Sequence, residues 1–197
     1  VIRRLSGSGM RSIRRGERPR AHELLGSSYE RTGDLQGAIA VYQFAMGLYP
    51  EDINILSNQA NLLHRLDLDD RARPLYEKVL EIHPNNAFGH RGLADILRSQ
   101  GLHAEACEHF ALALREHHRD ANLWRDYAEA LADRRDFISA ERSALHSLSI
   151  EESVDSRLDL ADFQRVMRKS EAYASLDKAC EAAGDRQDIR LRRALWL

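Results

Sequence analysis

Small residues return along this chain at a fixed interval of 34 positions, and that interval limits the folds open to it. With Pro19 as position 1, the blocks 19–52, 53–86, 87–120 and 121–154 follow one another without insertion or deletion. Position 8 is then Gly26, Ala60, Ala94 and Ala128, and position 20 is Ala38, Ala72, Ala106 and Ala140. Position 11 holds Tyr29, Leu63, Leu97 and Leu131. Positions 4, 7, 8 and 11 fall within roughly 100° of a helix turning about 100° per residue, so they form one apolar stripe, and 20, 24 and 27 form another on a second helix. Two helices therefore pair in each block. Small side chains at 8 and 20 allow the backbones to approach closely, and a larger group fills the space left beside them.

The rest of the block is consistent with such a pair. Position 24 carries Tyr42, Tyr76, Phe110 and Ala144; position 27 carries Ala45, Val79, Ala113 and Ser147. Gly33 and Gly101 stand at position 15, where a left-handed residue ends the first helix at little cost. Asp67 and Arg135 hold that slot in the other two blocks, which predicts a different turn geometry there. Pro50 and Pro84 at position 32 stop the second helix. In these positions the sequence resembles the tetratricopeptide repeat family, with Val79 and His118 as departures in the first three blocks. The resemblance implies an all-α, right-handed solenoid of antiparallel helix pairs.

The fourth block keeps Trp124, Tyr127, Ala128, Leu131 and Ala140 but loses its ring and closing proline. A degenerate fifth repeat is expected over 155–188, with Leu158, Ala161 and Phe163 on its first helix and Ala172, Leu176 and Ala179 as the stripe of its second. Residues 189–197 read as a capping or continuing helix with Ile189 and Trp196 on one face. About five repeats thus occupy 19–188. Residues 1–18 read as a basic, flexible arm.

Charge separates the arm from the body. Residues 1–20 hold seven arginines against Glu17, a net of +6, while the remainder carries a net of −8. No aromatic residue accompanies the arm's arginines for base stacking, so nucleic acid is a poor match. No apolar run approaches the ~20 residues of a membrane span, and the start lacks the apolar stretch of a secretory signal, which makes cytoplasmic residence the expectation, with a periplasmic or membrane-tethered place as the alternative if an upstream segment has been removed.

Nothing in the sequence favours catalysis. His103 and Cys107 share a helix face but bring only two metal ligands, and Cys107 and Cys180 lack the spacing of a zinc site. Asp67, Asp69 and Asp70 lack the glycine and distal glutamate of a calcium loop, and Asp69 or Asp70 reads instead as the cap of the helix carrying Pro74. His117 and His118 suit a helix C-terminus. Phosphate-binding glycine loops and GxSxG motifs are absent from the sequence. No cofactor or metal is expected.

The resemblance implies that positions 2, 5, 9, 12 and 13 of each first helix line a concave groove that holds a partner segment. Asn58, Asn61, His64, Arg65, Arg91, Arg98, Asn122 and Arg125 are the candidates, on a polar face expected to be mildly basic at its middle and to prefer an acidic segment. Two specialised uses of the family are excluded residue by residue. The carboxylate clamp of co-chaperones needs Lys, Asn, Asn, Lys and Arg where this chain has Glu23, Ser27, Asn58, Phe88 and Gly92 in one window, and the next window matches no better. The asparagine ladder of O-linked N-acetylglucosamine transferases finds only Asn58 among Leu24, Asn58, Gly92 and Asp126. The expected function is a protein-interaction scaffold or adaptor. Two alternatives stand beside it: the recognition arm of a larger enzyme such as a bacterial glycosyl- or sulfotransferase, and an assembly factor of a bacterial envelope complex.

Overall fold

Asp52, Asn86 and Asp120 stand 34 residues apart, and each starts a helix in the same way. In the computed structural model, which describes residues 17–184 together with 186, 188 and 189, their side-chain oxygens accept hydrogen bonds from backbone N–H groups two or three residues on, at 2.9–3.1 Å. These caps satisfy donors that the first helical turn leaves without intrahelical partners. They open α3 (Ile53–Arg65), α5 (Ala87–Ser99) and α7 (Ala121–Asp133), whose first residues fall at position 1 of their blocks. The partners α2 (Leu35–Leu48), α4 (Asp69–Ile82), α6 (His103–Glu116) and α8 (Phe137–Ile150) all begin at position 17. Flanking them are α1 (Glu17–Thr32), α9 (Val154–Val166) and α10 (Glu171–Ala183).

The helices divide into two units, split between Pro84 and Asn85. In the first, α1 pairs with α2 and α3 with α4, and the two hairpins join through α2 and α1 against α3. Ala38, Ile39, Tyr42 and Leu62 form a core cluster there, with Tyr29, Leu35 and Leu66 packed on it. In the second, the hairpins α5/α6, α7/α8 and α9/α10 stack in chain order. One cluster runs through Ala94, Phe110, Leu123, Ala128, Leu131, Ala140, Leu160 and Phe163, and another joins Leu158, Ala161, Leu176, Ala179 and Ile189. Each unit is thus built as a helical solenoid is, from hairpins that bury their stripes on their neighbours.

The five hairpin turns share one geometry, which corrects the expectation for Asp67 and Arg135. Gly33, Asp67, Gly101, Arg135 and Arg168 all have positive φ, between 56° and 81°. In each, the left-handed residue donates its N–H three residues back and the next residue donates five back: Gly33 to Glu30 and Asp34 to Tyr29, Asp67 to His64 and Leu68 to Leu63, Arg135 to Ala132 and Asp136 to Leu131. This is the Schellman arrangement, and its two bonds offset the strain that a side chain brings to the left-handed region.

Three boundaries also shift. The turn slot of the last hairpin is Arg168, not Lys169, because α9 opens one residue early; Ala161, fully buried, therefore takes the place of position 8 in a block expected to start at 155. Ala172, Leu176 and Ala179 form the buried stripe of α10 as expected. Asp69 is the first residue of α4 rather than its cap: Leu68 takes the cap position without a side-chain bond, and the Asp69 carboxylate meets His64 Nδ1 at 2.6 Å. Glu17 and Arg18 belong to α1, while the rest of the expected arm lies outside the described residues. Of the expected C-terminal helix, Ile189 is helical and buried, and 190–197, with Trp196, also lie outside.

Candidate functional site

The candidate residues sit on the first helix of each pair. In the first unit Asn58, Asn61 and Arg65 of α3 line an open recess of about 410 Å³ with Ser27, Glu30 and Arg31 of α1. Its floor is built from hydrogen bonds. The hydroxyl of Tyr42, reaching through from α2, donates to Glu30 Oε1 at 2.8 Å and lies 3.3 Å from Ser27 Oγ. Arg65 Nη1 meets the other carboxylate oxygen of Glu30 at 2.8 Å. Burial, and after it the bond to Glu30, pushes the Tyr42 phenol up to about 12, so it stays protonated as a donor. Asn61 is exposed and Asn58 half-buried, leaving amides that both donate and accept at the mouth. His64, the fourth candidate on α3, turns instead to Asp69.

In the second unit the arginines do not stand free as a basic surface. Arg91 Nη2 pairs with Asp126 Oδ2 at 2.6 Å, and Arg98 reaches Glu129 at 2.9 Å and Asp133 at 3.4 Å. Arg125 meets Glu129 on its own helix at 3.2 Å, and Asp159 and Asp155 of α9 at 3.7 and 3.8 Å. These pairs form a ladder across α5, α7 and α9. The expectation of a mildly basic middle is corrected by it, because the carboxylates at positions 6, 9 and 13 face the arginines of the preceding helix. Burial pushes the Asp126 carboxyl above its usual range, and Arg91 only partly offsets this. Asn122 lies exposed at the start of α7.

The other residues weighed for chemistry fall elsewhere. Cys107 is buried, and burial pushes its thiol up, which makes it a poor nucleophile. His117 caps the end of α6 and stacks edge-on against Phe88. Among the described residues no three His, Cys, Asp or Glu side chains converge on one point. One close pair escaped sequence reasoning: His90 and His109 bring their Nδ1 atoms to 2.9 Å within the α5/α6 hairpin. His90 falls at position 4 of the apolar stripe and His109 at position 23, where Val41, Leu75 and Ser143 stand in the other blocks, so no repeated residue type marks the pair.

Paired helices of 13 to 16 residues, repeated at 34 and closed by one turn type, define a helical-repeat protein. The tetratricopeptide repeat profile matches residues 11–53 and 59–121, over half of the chain. The chain belongs to the tetratricopeptide repeat family. It is 25% identical over 113 residues to protein FlbA of Caulobacter vibrioides, a match spanning 57% of this chain and 19% of FlbA. Its fold is similar to that of pilF from Pseudomonas aeruginosa, with a TM-score of 0.79 at 18% identity over 89% of this chain and 81% of that one. YrrB, described as a TPR protein with an unusual peptide-binding site, gives 0.71 at 16% identity over 88% and 90%. Among the described residues no helix is long and apolar enough to cross a membrane.

Proposed function

We propose that this chain is a protein-interaction scaffold that holds an extended partner segment against the face formed by the first helices of its pairs. The observation that carries the reading is the recess between α1 and α3, where Asn58 and Asn61 present amides able to bond a peptide backbone in both senses. The likeness to YrrB supports a peptide as the occupant. Rigid helices hold these groups, so little ordering is needed on binding.

The test begins with partners captured from a lysate of the source cells and identified by mass spectrometry. A partner is then measured against Asn58→Ala with Asn61→Ala, which should keep helicity and melting while weakening binding by about 2 kcal/mol. Unchanged affinity in this variant, with cross-links on α2 or α4, would overturn the reading. Arg91 is unsuited as a probe, because its removal strands the half-buried Asp126 carboxylate. A second reading, in which this chain is the recognition portion of a longer protein such as an enzyme, is favoured by its spanning only 19% of FlbA. The complete gene decides between the two.

A further inference from the structure

We infer that the first-helix face of the second unit takes a partner segment bearing lysine or arginine. This rests on the scaffold reading above and names the partner's chemistry for three of the five hairpins. Among the described residues, the ion pairs of the ladder across α5, α7 and α9 set three arginines, Arg91, Arg98 and Arg125, against five carboxylates, Asp126, Glu129, Asp133, Asp155 and Asp159. Arg186 also reaches Asp155 but brings Asp188 with it, leaving the balance among the described residues unchanged.

Exposure separates the two signs further. The side chains of Asp133 and Asp155 are 44% and 54% exposed, against 28–36% for the three arginines. The guanidinium groups point into the ladder, and the surplus carboxylates stand at its rim. A carboxylate-bearing segment would have to displace partners already seated on each arginine. An incoming ammonium or guanidinium group can instead add at the rim carboxylates of Asp133 and Asp155, whose contacts to Arg98, Arg125 and Arg186 are long, at 3.4–3.8 Å, and it relieves the crowding of negative charge around Asp126, whose carboxyl is pushed up by burial and by Glu129. The same field steers a cationic segment toward the face and away from polyanions.

The measurement uses the full chain and two short fluorescent peptides, one alternating lysine and alanine and the other glutamate and alanine, followed by anisotropy. The lysine peptide should bind at low salt, weaken as salt is raised, and outbind the glutamate peptide by at least about tenfold. Asp133→Asn with Asp155→Asn should weaken it by roughly five- to tenfold, and melts confirm that the fold is kept. If that variant melts early, Asp133→Asn alone serves. A glutamate peptide that binds as tightly as the lysine peptide, a lysine peptide that does not bind, or a folded variant with unchanged affinity each overturn the inference. Cross-linking separates it from the reading it rests on. Lysine peptide attached to α6 or α8 sinks the first-helix face itself, whereas glutamate peptide attached to α5, α7 or α9 sinks only the charge assignment.

Discussion

The ring of Tyr42 lies so close over Gly26 that a Cβ on that glycine would stand 2.3 Å from Tyr42 Cε1 and 2.4 Å from Cζ. The same two positions hold Ala60 with Tyr76 and Ala94 with Phe110 in the next blocks, where a methyl group fits. In the first block glycine stands where the others have alanine, and the Tyr42 phenol is anchored to Glu30 and Ser27 on α1. Gly26→Ala should therefore destabilise the chain by about 1–3 kcal/mol, despite its better helix propensity, because a fully buried ring cannot swing aside. Urea denaturation at neutral pH checks this. Stability at or above the parent's would mean that Tyr42 is not held there.

Tyr42→Phe separates the anchor from the ring. It should cost about 1 kcal/mol at neutral pH through the lost bond to Glu30. The pH dependence has a definite sign: a phenol raised from 10 to about 12 favours the folded state below pH 10, and that contribution is lost as pH rises through 12. Stability should thus fall more steeply above pH 10 in the parent than in the Phe variant. Parallel alkaline denaturation curves would contradict the assignment.

The shared turn makes opposite predictions for two residues in the same slot. Gly101, at φ 78°, has open space around it, so Gly101→Ala adds strain without a clash and should cost about 1 kcal/mol. Arg135, at φ 65°, already bears that strain, and Arg135→Gly should raise stability by up to about 1 kcal/mol. Thermal melts of the two variants should move in opposite directions. Equal shifts of one sign would mean that the turns differ after all.

Much of this is legible in the sequence alone. The alanines at positions 8 and 20 are fully buried in every block where they occur, since only a methyl group fits where two helix backbones cross. The caps at Asp52, Asn86 and Asp120 carry a readable signal too, an Asx residue returning every 34 positions beside the apolar stripes. The turns at Asp67 and Arg135 were misread because residue type marks a left-handed position only when it is glycine; the bonds that stabilise it there are backbone bonds and leave no trace in composition. The ion pairs run across to the next first helix, so spacing along a single helix does not reveal them. Glu30 with Arg65, Arg91 with Asp126 and Arg98 with Asp133 are each 35 residues apart, one step beyond the repeat, so the register contains the rule for finding them.

Glu141 supplies the last test, at the junction of the second and third hairpins of the second unit. From α8 it accepts hydrogen bonds from Gln164 Nε2 of α9 at 3.1 Å and from Lys169 Nζ in the turn beyond. Burial alone would push its carboxyl up, but the bonds from Lys169 and Gln164 outweigh burial and hold it below its ordinary 4.5. A carboxyl lowered on folding stabilises the native state above its unfolded value and loses that contribution as pH falls through the folded one. Glu141→Gln keeps the shape and removes the charge, and should cost about 1 kcal/mol at pH 7. The gap between parent and variant should then narrow steadily below about pH 4.5 as the parent's own carboxylate is protonated. Urea denaturation at a series of pH values from neutral to acid reads it directly. A gap that stays constant down to the lowest pH at which both fold would show that the carboxylate contributes nothing to the junction, and that Gln164 and Lys169 are held by packing alone.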